Sequence, residues 1–193
     1  MRQELDEKLC SDFPKLFVNR RKSMTETCMC WGFECGDGWY NILRSLCSNI
    51  QHHIDWSVKN YNSDTKYNEM IAAAMAGDIT ELEKYYGGWL DADDRMKETL
   101  ERGFRDVRPI VPQVTVDQVK EKFGTLRFYY TGGDDHINGM VRMAESMSGC
   151  TCEECGNPAT TGGQGWIRTI CAPCEIKREE ARAAYAKQNG LEE

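Results

Sequence analysis

Residues 152–174 read Cys152-Glu-Glu-Cys155-Gly156-Asn-Pro-Ala-Thr-Thr-Gly-Gly-Gln-Gly-Trp-Ile-Arg-Thr-Ile-Cys171-Ala-Pro-Cys174. Two Cys-x2-Cys pairs stand fifteen residues apart. Each short pair forms a knuckle that turns two sulfurs towards one point, so the four thiolates reach a single tetrahedral ion. Gly156 stands where a tight knuckle needs a residue free to adopt positive φ. Residues 161–170 supply a glycine turn and then a short strand. The expectation is a zinc ribbon over 150–175, with one structural zinc per chain held by Cys152, Cys155, Cys171 and Cys174. Four protein thiolates close the shell and leave no position for a reactive water. Cys150 fits a knuckle less well and reads as a spare thiol.

The pattern on either side of the ribbon is regular. Ile137, Met140, Val141, Ala144 and Met147 recur at offsets of three and four, predicting an amphipathic helix that starts at Thr131-Gly-Gly-Asp-Asp135 and stops at Gly149. Before it, residues 114–122 and 125–130 alternate as two strands around a Phe123-Gly124 turn, with Leu126, Phe128 and Tyr130 on one face and Arg127 and Tyr129 on the other. Phe-Gly is not among the strongest hairpin dipeptides, so helix over 117–123 stays an alternative. Pro109 and Pro112 impose extended chain ahead of the hairpin. Residues 176–193 read as a charged terminal helix and tail.

Residues 57–108 turn polar and acidic, with helices bracketed over 64–76, 78–86 and 92–102, each followed by glycine. They read as a helical insertion. Towards the start, Ile42, Leu43, Leu46, Cys47, Ile50 and Ile54 keep one helix face apolar. Leu5, Leu9, Phe13, Leu16 and Phe17 mark a brief helix ended by Pro14. The fold class is therefore α+β: a small β-hairpin packed with amphipathic helices in a core of residues 1–56 and 109–149, plus the insertion, ribbon and tail.

With 193 residues, 40% of them hydrophobic, the chain can bury a core of about one domain. Its formal net charge of −7, made more negative by a tetrathiolate zinc, argues against nonspecific nucleic-acid binding. The charged amino terminus and the lack of a long apolar run lead to the expectation of a cytoplasmic protein without a membrane span. In a reducing compartment the ten cysteines read as metal ligands and buried thiols before disulfides.

Cys28-Met-Cys30-Trp-Gly-Phe-Glu-Cys35-Gly-Asp37-Gly-Trp39 forms a second cysteine-rich stretch. Cys28, Cys30, Cys35, His52 and His53 could form a mixed metal site, but their irregular spacing favours core packing. A Cys-His nucleophile is a third reading, without local support. A ligand surface is drawn from Trp39, Tyr40, Lys122, Arg127, Tyr129 and Asp134: basic groups for phosphate, aromatic rings for a base, and backbone N–H groups at helix starts. The competing reading staples Trp39 and Tyr40 to the core and pairs Arg127 with Glu121. Asp37, Asp134 and Asp135 would serve a metal-dependent nucleotide hydrolase, although aspartates beside glycines are usually caps and turns.

The stretches Cys28–Leu43, Gln118–Tyr130 and Met143–Met147 leading into the cysteine pairs resemble a family of small, uncharacterised proteins of tailed phages and prophages. The resemblance covers roughly residues 13–56 and 112–175; residues 57–111 fall outside it. It implies a viral origin and a bacterial cytoplasm, and no established activity. By analogy of context it implies a noncatalytic accessory protein that blunts host defence by binding a nucleotide immune signal or a host protein. No catalytic residue is assigned. The alternatives are the hydrolase above and a nucleic-acid-binding zinc ribbon using Lys177, Arg178, Arg182 and Lys187, which Glu175, Glu179 and Glu180 interleave. A homo-oligomer is left open.

Overall fold

The computed structural model describes residues 1–163 and 165–190. Gln164, in the expected glycine turn, and residues 191–193 of the tail lie outside the described residues. The architecture is α+β, with helices predominating over two small sheets. Two compact units are formed by residues 1–52 with 112–193 and by residues 53–111.

The first unit is built on the hairpin. Strands β2 (Thr115–Lys122) and β3 (Thr125–Thr131) pair antiparallel, with a bulge between Val116 and Gln118. Phe123 and Gly124 both take positive φ, 54° and 78°, the backbone of a two-residue turn whose twist matches the strands. The Glu121 carboxylate accepts from Gly124 N at 2.6 Å, and the helical alternative for this stretch is not adopted. Val116, Val119, Leu126 and Phe128 are buried on the inner face. A strand that sequence periodicity did not register, β1 (Phe33–Glu34), pairs parallel with β2 through Phe33↔Val119.

Helix α5 (Asp135–Ser148) covers β3 with Ile137, Val141 and Ala144 buried, while Met147, expected on that face, is 47% exposed. The same helix satisfies the free edge of β3: Phe128 N donates to Glu145 at 3.0 Å, and Leu126 N to the Ser148 hydroxyl at 2.8 Å. A sheet edge capped in this way is closed to further strand pairing. Helix α1 (Gln3–Asp12) carries a nearly buried Asp6 that receives a two-pronged Arg20 guanidinium, at 2.9 and 3.0 Å. Arg20 Nη1 also donates to Cys30 O at 2.8 Å, tying the cysteine-rich loop to the pair.

Helix α2 runs unbroken over Tyr40–Met75. The sequence pattern predicts one helix ending near Ile54 and another beginning at Asp64. The polar composition blurs the apolar stripe there, but no glycine or proline interrupts residues 40–75, so nothing terminates the hydrogen-bond ladder. In the second unit, α3 (Thr80–Tyr86) and α4 (Ala92–Arg102) follow. Tyr67, Ile71, Ala74 and Leu82 form a small core there, flanked by Met70, Tyr86, Met96 and Leu100. Arg105 stacks over Tyr67 with its guanidinium carbon 3.8 Å from the ring centroid, and pairs with Asp64 at 3.2 Å. No described helix is long and apolar enough to cross a membrane.

Candidate metal centre

The ribbon consists of strands β4 (Thr160–Gly162) and β5 (Arg168–Ile170), paired antiparallel, and the start of helix α6 (Ala172–Gln188). Gly156 takes φ 78° and its N–H donates to Cys152 O at 2.9 Å, closing the first knuckle. The second knuckle is the first turn of α6: Cys171 is the residue before the helix, and its carbonyl accepts from Cys174 N and Glu175 N, both at 3.0 Å.

The Cys152, Cys155, Cys171 and Cys174 sulfurs all lie within 4.8 Å of one another. Cys155 and Cys171 are 3.5 Å apart at Sγ, far beyond a disulfide bond of about 2.05 Å. Metal–sulfur bonds of about 2.3 Å in a tetrahedron place sulfurs about 3.8 Å apart. The cluster therefore fits a metal ion, and it is the one such group among the described residues.

Cys155 and Cys174 are unequal acids. The Asn157 backbone N–H, helped by neighbouring thiols and opposed by burial, lowers Cys155 to about 7. Cys174 is raised to about 12, chiefly because its thiol donates to Cys155. A divalent ion must displace that held proton, so binding weakens as pH falls.

The ribbon is seated on the core by the stretch Cys35-Gly-Asp-Gly-Trp39. Gly36 N donates to the Glu153 carboxylate at 2.9 Å and Gly38 N to Glu153 O at 2.7 Å. The Trp39 indole Nε1 donates to Thr151 O at 2.8 Å. A Cβ at Gly38 would come under 3.0 Å from Cys152 O, Gly156 N and Glu153 O, and one at Gly36 would meet Glu153 O equally closely. Both glycines are required because backbone meets backbone. On the other side, Thr169 Oγ1 donates to Gly124 O at 2.5 Å and Thr161 Oγ1 to Gly149 O at 2.9 Å. The hairpin turn and the end of α5 thus hold the second sheet.

These contacts reassign several residues considered for ligand binding. Trp39 is fully buried and cannot stack on a base; it anchors the ribbon. Tyr40 opens α2 with its phenol oxygen buried and, among the described residues, without a hydrogen-bond partner. Lys122, Arg127 and Tyr129 do share the outer face of the hairpin. Arg127 lies opposite Lys120 rather than pairing with Glu121, and its Nη1 bonds Thr125 Oγ1 at 2.6 Å and Leu126 O at 2.7 Å. Tyr129 carries Lys120 Nζ 5.4 Å from its centroid. Asp134 caps α5, accepting from Ile137 N at 3.0 Å. It lies past the open end of the hairpin, whereas Lys122 adjoins the turn, about 20 Å away along a seven-residue strand. The six residues do not form one pocket.

Asp37 is bound to Arg2, through the backbone N–H at 2.7 Å and through a short contact with the guanidinium. Cys28, Cys30, Cys35, His52 and His53 form no metal-binding group among the described residues. Cys35 and Cys47 are buried. Burial pushes Cys35 up to about 12 and raises Cys47 as well, which leaves them inert as nucleophiles near neutral pH. Comparison of the chain with protein-family models, with curated proteins and with solved structures found no match.

Proposed function

We propose that the protein is a noncatalytic binding protein whose carboxy-terminal ribbon is held by one structural zinc ion. The observation that carries this reading is the closed set of four sulfurs within 4.8 Å, at a site whose first knuckle is bound to the core by the Gly38 N to Glu153 O hydrogen bond. Zinc suits a tetrahedral all-thiolate set, and such a shell supplies folding energy rather than a reactive position. Two of the three aspartates considered for hydrolysis are occupied otherwise, Asp37 by Arg2 and Asp134 by the start of α5, while Asp135 is the first residue of that helix. Titration of the purified protein with an organomercurial, read with a zinc-sensitive dye, should release one zinc per chain. Release of none, with full thiol reaction, would remove the reading.

The wider reading is an accessory protein of a phage, acting in the bacterial cytoplasm on a host nucleotide signal or a host protein. It rests on the resemblance of the cysteine-glycine stretch, the hairpin and the helix before the ribbon. Production of the protein in a bacterium carrying an active defence should raise the plaque count of a restricted phage. Unchanged counts across several defence systems would argue against it.

A further inference from the structure

A second feature of the ribbon is not explained by the metal. Strands β4 and β5 and the first three turns of α6 line a cleft of about 390 Å³, within the range of small-ligand sites. Arg168, Arg178 and Arg182 all line it, with Glu175, Trp166 and the backbone at Gly162. Residues 175, 178 and 182 recur at helical spacing and so share one face of α6, with Glu179 at the edge of that face, outside the cleft lining, and Glu180 turned away. Three guanidiniums against one carboxylate make this a positive site on a chain of formal charge −7.

Its polar groups are poorly matched within the protein. Among the described residues, Arg168 Nε and Glu175 Oε2 are buried without a hydrogen-bond partner, although Glu175 Oε2 forms a long ion pair of 3.9 Å with Arg178. Buried polar atoms left unpaired are costly, and two in one cleft mark a place where a ligand supplies the partners. Trp166 is 70% exposed at the rim, with the Arg168 guanidinium carbon 5.9 Å from its ring centroid.

We infer that this cleft binds a nucleotide phosphate. The arginines take the phosphate oxygens, Glu175 accepts from a sugar hydroxyl or a base amino group, and Trp166 stacks on the base. The same chemistry belongs to a free mononucleotide and to one unit of a single-stranded nucleic acid. The inference adds a ligand to the binding-protein reading but stands on different residues.

The test uses the full-length, zinc-loaded chain, titrated by calorimetry in low salt with adenosine 5′-monophosphate, inorganic phosphate and a twelve-nucleotide oligothymidylate. Binding of the mononucleotide is expected to weaken at least tenfold in the Arg178→Gln/Arg182→Gln variant. Trp166→Ala should weaken the nucleotide while sparing inorganic phosphate. Tighter binding of the oligonucleotide, lost steeply with salt, identifies a nucleic-acid source; mononucleotide binding alone identifies a free nucleotide. The inference is overturned if neither nucleotide probe binds the wild-type protein, or if the double variant binds as well as wild type. It is also overturned if that variant loses zinc, because the arginines would then be offsetting thiolate charge. Zinc content measured on the same samples keeps failure here separate from failure of the structural-zinc reading.

Discussion

Replacing Gly38 by alanine isolates the seat of the ribbon. The added methyl would come under 3.0 Å from three backbone atoms of the first knuckle, Cys152 O, Gly156 N and Glu153 O. None can swing aside as a long side chain would, so the knuckle must lift. Lifting it strains the Gly38 N to Glu153 O bond at 2.7 Å and the Trp39 Nε1 to Thr151 O bond at 2.8 Å. Two hydrogen bonds at about 1 kcal/mol each, plus overpacking of about 1–3 kcal/mol, give a loss of about 3–5 kcal/mol. In a domain of this size 1 kcal/mol moves Tm by about 2–4 °C, so a fall of about 6–20 °C is expected in a melt followed by circular dichroism. Gly139→Ala is the control. It lies within α5 with nothing within 4 Å of the added methyl, and should gain about 1 kcal/mol from helix propensity. The variant should still carry its metal, because the four sulfurs are untouched. A Gly38→Ala protein melting within 2 °C of wild type would refute the seating argument.

Other outcomes follow from the same geometry. Cys155→Ser should remove the metal and destabilise the ribbon, read as loss of bound zinc together with rapid proteolysis between residues 150 and 175. Alkylation at pH 7.5, mapped by peptide mass, should modify the exposed Cys28 and Cys150 first and spare the buried Cys35 and Cys47; a strong chelator should add the exposed Cys155 to the reactive set. Burial raises the Asp37 carboxyl, but the Arg2 backbone and guanidinium outweigh it and hold the group below its ordinary value of 3.8. A depressed carboxylate contributes stability above its unfolded pKa and loses it as pH falls through the folded one. Asp37→Asn should therefore cost at most about 1 kcal/mol at pH 7, since the Arg2 side chain is largely exposed, with the deficit closing below about pH 4 in paired denaturant titrations.

What could be read in the sequence was what is encoded locally. The two Cys-x2-Cys pairs, the alternation around Phe123-Gly124 and the spacing from Ile137 to Ala144 each specify an element without reference to distant residues, and each is present in the fold. Two-residue β1 escaped because its only signal is pairing with Val119, far along the chain. The length of α2 was missed because polar residues after Ile54 hide the period while offering no breaker. Trp39 looked like a ligand contact because an aromatic beside glycines has that chemistry; what the glycines admit is the backbone of a knuckle more than a hundred residues later. The arginine cleft was obscured for a different reason. Counting acids and bases along α6 mixes faces that helical geometry separates, and Arg168 and Trp166 join Arg178 and Arg182 only once the ribbon is folded.

Native mass spectrometry of the intact protein tests the central claim most directly. The account predicts a mass that exceeds the reduced chain by one zinc ion, with the four ligand thiols deprotonated, and loss of that increment below about pH 5 as the thiolates are protonated. A chain carrying no metal at neutral pH, or one whose mass shows Cys152, Cys155, Cys171 and Cys174 joined as two disulfides, would contradict it.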